Sequence, residues 1–426
     1  MKHTKLYFKR IQYLLVALTL LLGASCKKLI EKPISFVTPD DFYTTPAQIE
    51  AAFAASMNTL WDYWGGYSYG YGPFTNDDQY IGGDLVINNN HGSDLWNIHY
   101  RALLNINSAI RAMKNGNLGT TPQADVDVLM AQAKFLRGYN YFMLVRMFGG
   151  LPLITEDTPD PVTNPVTRSS IAEVYALIEA DFKEAADNLP RQWSADKRGR
   201  PTSGAAKGLL AKAYLTMATA PLNQTANYQK AADYAKQVID EADYSLVTDI
   251  RNVFSTATKY GPEMMWSFNS NYADINTDPQ IYRPGFMDGW GDVTIQPEWE
   301  RALPHTARKD AYILYEIDGV RYEDWSSDQY PFVKKFMYDD QDDFDNYSSI
   351  MSMPIIRFAD VLLIYAEAAN MANGSPTQDA VDAINQVIDR ANDYLPNVDH
   401  PLLTIGMTKE AFDEAVIEER NQELCF

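Results

Sequence analysis

The chain has 426 residues, 46% apolar and 12% aromatic, enough to bury one large core or two closely joined ones and too apolar for a disordered protein. A formal net charge of -20 with a pI of about 4.6 repels a phosphate backbone, which excludes nucleic acid as a natural partner. Two cysteines, Cys26 and Cys425, are too few for a disulfide framework or a thiolate metal site.

The first element is a targeting segment. Lys2, Lys5, Lys9 and Arg10 form a basic head, and residues 11–22 are an apolar run too short for a bilayer, which needs about 20 residues. Residues 1–25 are therefore expected to be removed on export. The run ends Leu21-Leu22-Gly23-Ala24-Ser25-Cys26, small residues before a cysteine, and so resembles the lipobox of bacterial lipoproteins, with Leu22 one place further back than the usual leucine. Cys26 would then carry a lipid that tethers the protein without spanning the membrane. An ordinary signal peptide, with Cys26 incidental, would share the same small residues.

The mature chain, 26–426, reads as a single domain that is mainly all-α, with helices over 26–242, an aromatic-rich loop region over 243–353 and further helices over 354–426. A helix is predicted over 47–60, with Thr44 or Thr45 as cap and Pro46 in the first turn. The stretch GGYSYGYGPFTNDDQYIGGD, 65–84, suits neither helix nor strand, and a second helix, 94–110, carries Trp96, Tyr100, Leu103, Leu104 and Ile106. Three later segments, beginning at Ala133, Ala206 and Ala359, share Ala-x-x-Leu with a bulky residue one turn on, the small-residue face of a closely packed helix. Each has an amphipathic partner. One ends at Pro190; one carries Ala231, Ala235, Val238, Ile239 and Ala242; the last carries Val381, Ile384, Val387, Ile388 and Ala391. Such units look like tetratricopeptide repeats, in which no unit buries its face alone. Between them, 243–353 is broken by Gly and Pro and should form loops, short strands and turns laid on the helices as a ligand-binding face.

The tryptophans avoid the repeat helices. Trp61, Trp64 and Trp96 lie in the early aromatic block, Trp193 in a connector, and Trp266, Trp290, Trp299 and Trp325 in the irregular region. Sugar rings present apolar C–H faces edged with hydroxyls, so flat aromatic faces beside carboxylate and amide acceptors suit them. Taken as a set, these rings read as a glycan-binding surface, although any one of them could simply pack a loop onto a helix. Tyr67, Tyr69, Tyr71, Trp290 and Trp325 are the stacking candidates, with Asn76, Asp77 and Asp78 as hydroxyl acceptors.

Several ordered motifs then resemble the SusD/RagB family of Bacteroidetes lipoproteins. They are CKKLIEKP from Cys26, the AQAKFLRGYNYFMLVRMFGGLPLI helix and turn, GRPTSGAAKGLLAKAYL over 199–215, IIRFADVLLIYAEAANMAN over 355–373 and EAVIEERNQELCF at the end. The resemblance runs from Cys26 to Phe426. It implies a non-catalytic lipoprotein of the cell outer membrane, facing the exterior. Such a protein captures oligosaccharide or polysaccharide and delivers it to a TonB-dependent transporter partner. Similar proteins continue beyond the place where this chain stops, so its last helix is expected to lack packing partners and the chain to be less stable than an extended one. Cys425 reads as a buried apolar side chain in that helix.

Other chemistries find little support. GRPTSGAAK lacks the contiguous Gly-Lys-Ser/Thr of a phosphate loop, and the histidines His3, His91, His99, His305 and His400 have no metal-ligand spacing. There is no Gly-x-Ser-x-Gly elbow. The acidic run 339–346 lacks the central Gly and the terminal Glu of a calcium loop, so no cofactor is expected beyond weak structural calcium there. A polysaccharide-degrading enzyme stays open because 56 acidic residues offer many carboxylate pairs, and a peptide- or protein-binding subunit stays open because aromatics serve those ligands too.

Overall fold

The computed structural model describes residues 42–64, 90–159, 163–269, 282–291, 293–337 and 350–426. Tyr43–Phe426 form one compact unit, mostly helical. Helix α1, Pro46–Trp64, starts where the sequence places it: the Thr44 and Thr45 hydroxyls donate to Gln48 Oε1, and Thr45 Oγ1 accepts from the Gln48 backbone N–H, so one free donor of the first turn is satisfied. There follow α2 (Asn90–Lys114), α3 (Gln123–Phe148), α4 (Ile171–Asn188), α5 (Ser203–Ala218) and α6 (Asn227–Glu241). Ser170 and Glu173 make a reciprocal capping box on α4, and Thr202 caps α5.

These helices stack in chain order, each on the next, as helical repeats do. Most apolar positions named from periodicity are buried, including Ala231, Ala235 and Val238 of α6. Two differ. Leu104 is exposed, and Ala242 is not on the packed face but ends α6 in the left-handed conformation at φ 55°.

After α6 the described residues leave the stack until the helix that begins at Phe358. Among the described residues, this stretch forms two six-residue helices, α7 (Pro297–Ala302) and α8 (Ala307–Tyr312), and strands β1 (Met264–Phe268), β2 (Ile313–Leu314), β3 (Glu316–Ile317), β4 (Val320–Arg321), β5 (Phe332–Val333) and β6 (Met353–Arg357). The strands pair antiparallel as β1–β6, β2–β5 and β3–β4. The stack then resumes, because α9 (Phe358–Asn373) packs directly on α6 and α5 and carries α10 (Gln378–Ala391) and α11 (Lys409–Glu423). Gly208 of α5 lets the β1–β6 ribbon approach: a Cβ there would meet Ile356 Cδ1 at 2.7 Å.

The last helix has partners after all. It packs on α9, and its Glu423 is fully buried, accepting from Arg357 at 2.9 Å, Arg390 at 2.7 Å and Arg308 at 3.2 Å. Glu263, beside β1, accepts from the same Arg357 and Arg390, and Arg308 also holds Glu419, which bonds His400 Nε2 at 2.8 Å. Carboxylates and guanidiniums taken out of water thus compensate one another across five segments distant in sequence. Cys425, just past α11, is buried as expected.

Candidate functional site

The structure divides the tryptophans sharply. Tyr67, Tyr69, Tyr71, Asn76, Asp77, Asp78 and Cys26 lie outside the described residues, as does the acidic run 339–346. Of the rings that are described, most pack. Trp61 is buried, and Trp266, only 3% exposed, meets Phe135 at 4.6 Å and Tyr139 at 5.0 Å, both edge-on. Trp96 sits on Tyr100 and Phe148, and Trp299 on Phe426. The expectation that the set as a whole forms an open face is therefore corrected. A ring in irregular backbone is covered wherever that backbone lies against the core, as at Trp266.

Trp325 needs the same correction. It is 7% exposed and belongs to a small separate core with Leu314, Tyr322 and Phe332. Its ring lies 6.5 Å from Phe332 at an interplanar angle of 20°, Phe286 and Tyr322 meet it edge-on at 5.1 and 6.4 Å, and its indole N–H donates to the Val320 carbonyl. Both polar and apolar parts of this side chain are used by the protein.

Trp290 is different. At 43% exposure it joins Phe286 (40%) and Tyr330 (44%) among the exposed large rings, and all three come from one cluster of loops. The 282–291 segment is closed by Gly291 N–H donating to Arg283 O at 2.8 Å. Asp328 Oδ2 fastens it to the 326–331 loop by accepting from Gly285 N–H at 3.1 Å. The Ile295 amide donates to Pro331 O at 2.8 Å and ties the same loop to the strands behind. Asp288 and Asp328 stand in these loops as acceptors. The arrangement offers flat apolar faces beside carboxylates on short, cross-linked backbone, which suits ring stacking with hydroxyl recognition. Phe286 and Tyr330 were missed from sequence. The available signal was each ring's place in a turn, Pro284-Gly285-Phe286 and Asp328-Gln329-Tyr330-Pro331.

Two cavities flank the turn at residues 199–201. One, about 510 Å³, lies between α1 and the end of β1 and is mainly apolar, lined by Phe53, Met57, Trp61 and Phe268. At its edge Arg200 grips Glu50 through two bonds of 2.5 and 3.0 Å. The turn itself needs glycine: Gly199 has φ 89°, and a Cβ would lie 2.5 Å from Asn269 Nδ2. The other cavity, about 290 Å³, shares Gly199 and Arg200 with the first and is lined by arginines and aromatics.

The buried titratable groups belong to the scaffold. Glu156 is held down to about 2 because hydrogen bonds from Lys114 and the charge of Arg137 outweigh the effect of its burial. Glu419 and Glu423 likewise fall below the ordinary carboxylate range, their arginine neighbours overcoming burial. Burial drives His99 down to about 4, against a hydrogen bond to Asn140. Glu367 and Asp413 are raised, chiefly by burial, but they sit on α9 and α11 and not among the exposed rings. A general acid wants a raised carboxyl beside its substrate.

Family models match two long stretches: a SusD-like model described as starch-binding associating with outer membrane over residues 73–215, and the SusD family model over 271–426. A SusD-like protein of Bacteroides ovatus is 28% identical, the match covering 90% of this chain and 77% of that protein. Among solved structures, a SusD homolog from Bacteroides thetaiotaomicron superposes with a TM-score of 0.75 at 21% identity, covering 91% of this chain and 85% of the other. Surface glycan-binding protein A from Bacteroides uniformis gives 0.73 at 22% identity, covering 89% and 85%.

Proposed function

The chain belongs to the SusD family, and on that premise we propose that it is a non-catalytic glycan-binding lipoprotein of the outer membrane. It is tethered through Cys26, faces the exterior, and passes captured oligosaccharide to a TonB-dependent transporter. The observation that carries this reading is the convergence of Phe286, Trp290 and Tyr330 in one loop cluster fastened by Asp328. Water-exposed rings held on short cross-linked loops cost little ordering on binding, as stacking on a sugar face requires. The family model's description, starch-binding associating with outer membrane, and the glycan-binding name of the Bacteroides uniformis neighbour support the same ligand class. Tyr67, Tyr69 and Tyr71, with Asn76, Asp77 and Asp78, supply further stacking and acceptor groups in this proposal.

The test is titration calorimetry of the chain from Lys27 onward against plant, host and microbial polysaccharides, with a reducing-end assay on the same mixtures. Saturable binding without new ends is expected. Trp290→Ala combined with Tyr330→Ala should weaken it by about 1–3 kcal/mol per ring lost. New reducing ends would overturn the binding-only reading, and unchanged affinity in the double variant would move the site elsewhere.

A further inference from the structure

The 290 Å³ cavity differs in kind from the exposed ring cluster. It lies between the connector that precedes α5 and the turn that leads into β1, and its walls bring Arg191, Arg198 and Arg200 together with Trp193, Tyr244 and Tyr260. Cations gathered at one cavity stand out in a chain of net charge -20. Two of the three guanidiniums are compensated: Arg191 Nε donates to Asp243 Oδ2 at 2.6 Å, and Arg200 is paired with Glu50. Arg198 makes no ion pair among the described residues. It stands close enough to Tyr260 for its charge to oppose the upward effect of burial on that phenol.

The aromatic side is equally built. The Trp193 indole N–H donates to the Pro201 carbonyl at 2.8 Å, with Arg200 over its ring at 5.4 Å and Lys197 at 6.0 Å. The Tyr244 hydroxyl bonds Thr202 Oγ1 at 2.6 Å. Tyr260 is 44% exposed, with Lys259 over its ring at 5.2 Å. An arginine fork with no ion-pair partner among the described residues, beside an accessible ring, matches a planar carboxylate or a sulfate attached to a sugar. The volume has room for one such ring, not for a chain.

We propose that this cavity is a second subsite, taking an acidic sugar residue of a charged glycan, one that bears a carboxylate or a sulfate ester. Arg198 binds the anion and Tyr260 offers the ring face. The inference rests on the glycan-binding reading above and narrows its ligand class.

The experiment titrates the protein with four probes: trigalacturonate, its methyl ester, and a galactan oligosaccharide with and without 6-sulfate. At least one acidic probe should bind about tenfold or more tightly than its neutral counterpart, the scale of a charge-assisted hydrogen-bond pair. The preference should shrink with added salt and vanish in Arg198→Gln, an exposed position whose loss leaves the fold and the Trp290 face intact. Tyr260→Ala should also weaken the acidic probe. Which acidic probe responds separates the carboxylate from the sulfate. Equal affinity for charged and neutral probes, or a preference kept in Arg198→Gln, overturns this inference while the glycan-binding reading survives. Competition by inorganic sulfate as strong as by the sulfated sugar reduces the cavity to an ion site and overturns it as well. Silence with all four probes and with the whole polysaccharide panel overturns the broader reading too.

Discussion

Trp266 and Trp290 come from the same Gly- and Pro-punctuated stretch, yet the first is 3% exposed and the second 43%. The difference lies in what stands behind each segment. Trp266 is on β1, which pairs with β6 and lies on α5, so its ring is pressed among Phe135, Tyr139 and Phe268 of the main core. Trp290 is in a turn that rests on a satellite core of four buried residues, too small to cover the rings around it. An irregular stretch can therefore hold both a pillar of the fold and a candidate binding surface. Backbone irregularity alone does not tell them apart.

The sharpest way to break the comparison is through the charge network beneath the packed region. Glu423→Gln leaves Arg357, Arg390 and Arg308 without their shared carboxylate and should cost about 3–5 kcal/mol, read by chemical denaturation. An unchanged midpoint would mean that the arginines find other partners. Next, Trp266→Ala should lose about 3–5 kcal/mol of stability with sugar affinity unaltered in the folded fraction. Trp290→Ala should stay within about 0.5 kcal/mol of the parent and lose affinity instead. Equal destabilisation by the two would erase the distinction.

Acid should then act on the scaffold before it acts on the loop cluster. The folded chain keeps His99 neutral down to about pH 4, whereas the unfolded chain takes up that proton below 6.5. Stability should thus fall as pH drops from 6.5 towards 4, by about 3 kcal/mol at most. Below 4.5 the depressed carboxylates Glu156, Glu419 and Glu423 add to the loss, because their contribution is full only above the unfolded value. His99→Gln should flatten the first part of that slope; an equally steep slope in the variant would assign it to other groups.

Much of the scaffold was legible because it is local. The Ala-x-x-Leu faces, the Thr caps and the periodic stripe Val381, Ile384, Val387, Ile388 and Ala391 each depend on spacings within one or two turns, and all five of that stripe are buried as expected. The order of motifs from Cys26 to Phe426 was likewise enough for the family. The candidate site was legible only in part. Trp290 is exposed, whereas Trp325 fails as an open face because Phe332, seven residues on, and Phe286, far back in the chain, close upon it.

Composition, helical period and motif order by themselves determined a helical-repeat protein of this family, since those signals arise from near neighbours along the chain. Only tertiary structure decided which aromatic faces are covered. It also decided that the last helix is anchored through Glu423 and that Arg198, without an ion-pair partner among the described residues, lines a cavity together with Tyr260. Burial and charge compensation are set by residues tens to more than a hundred positions away, and nothing in the local sequence fixes which of them arrive.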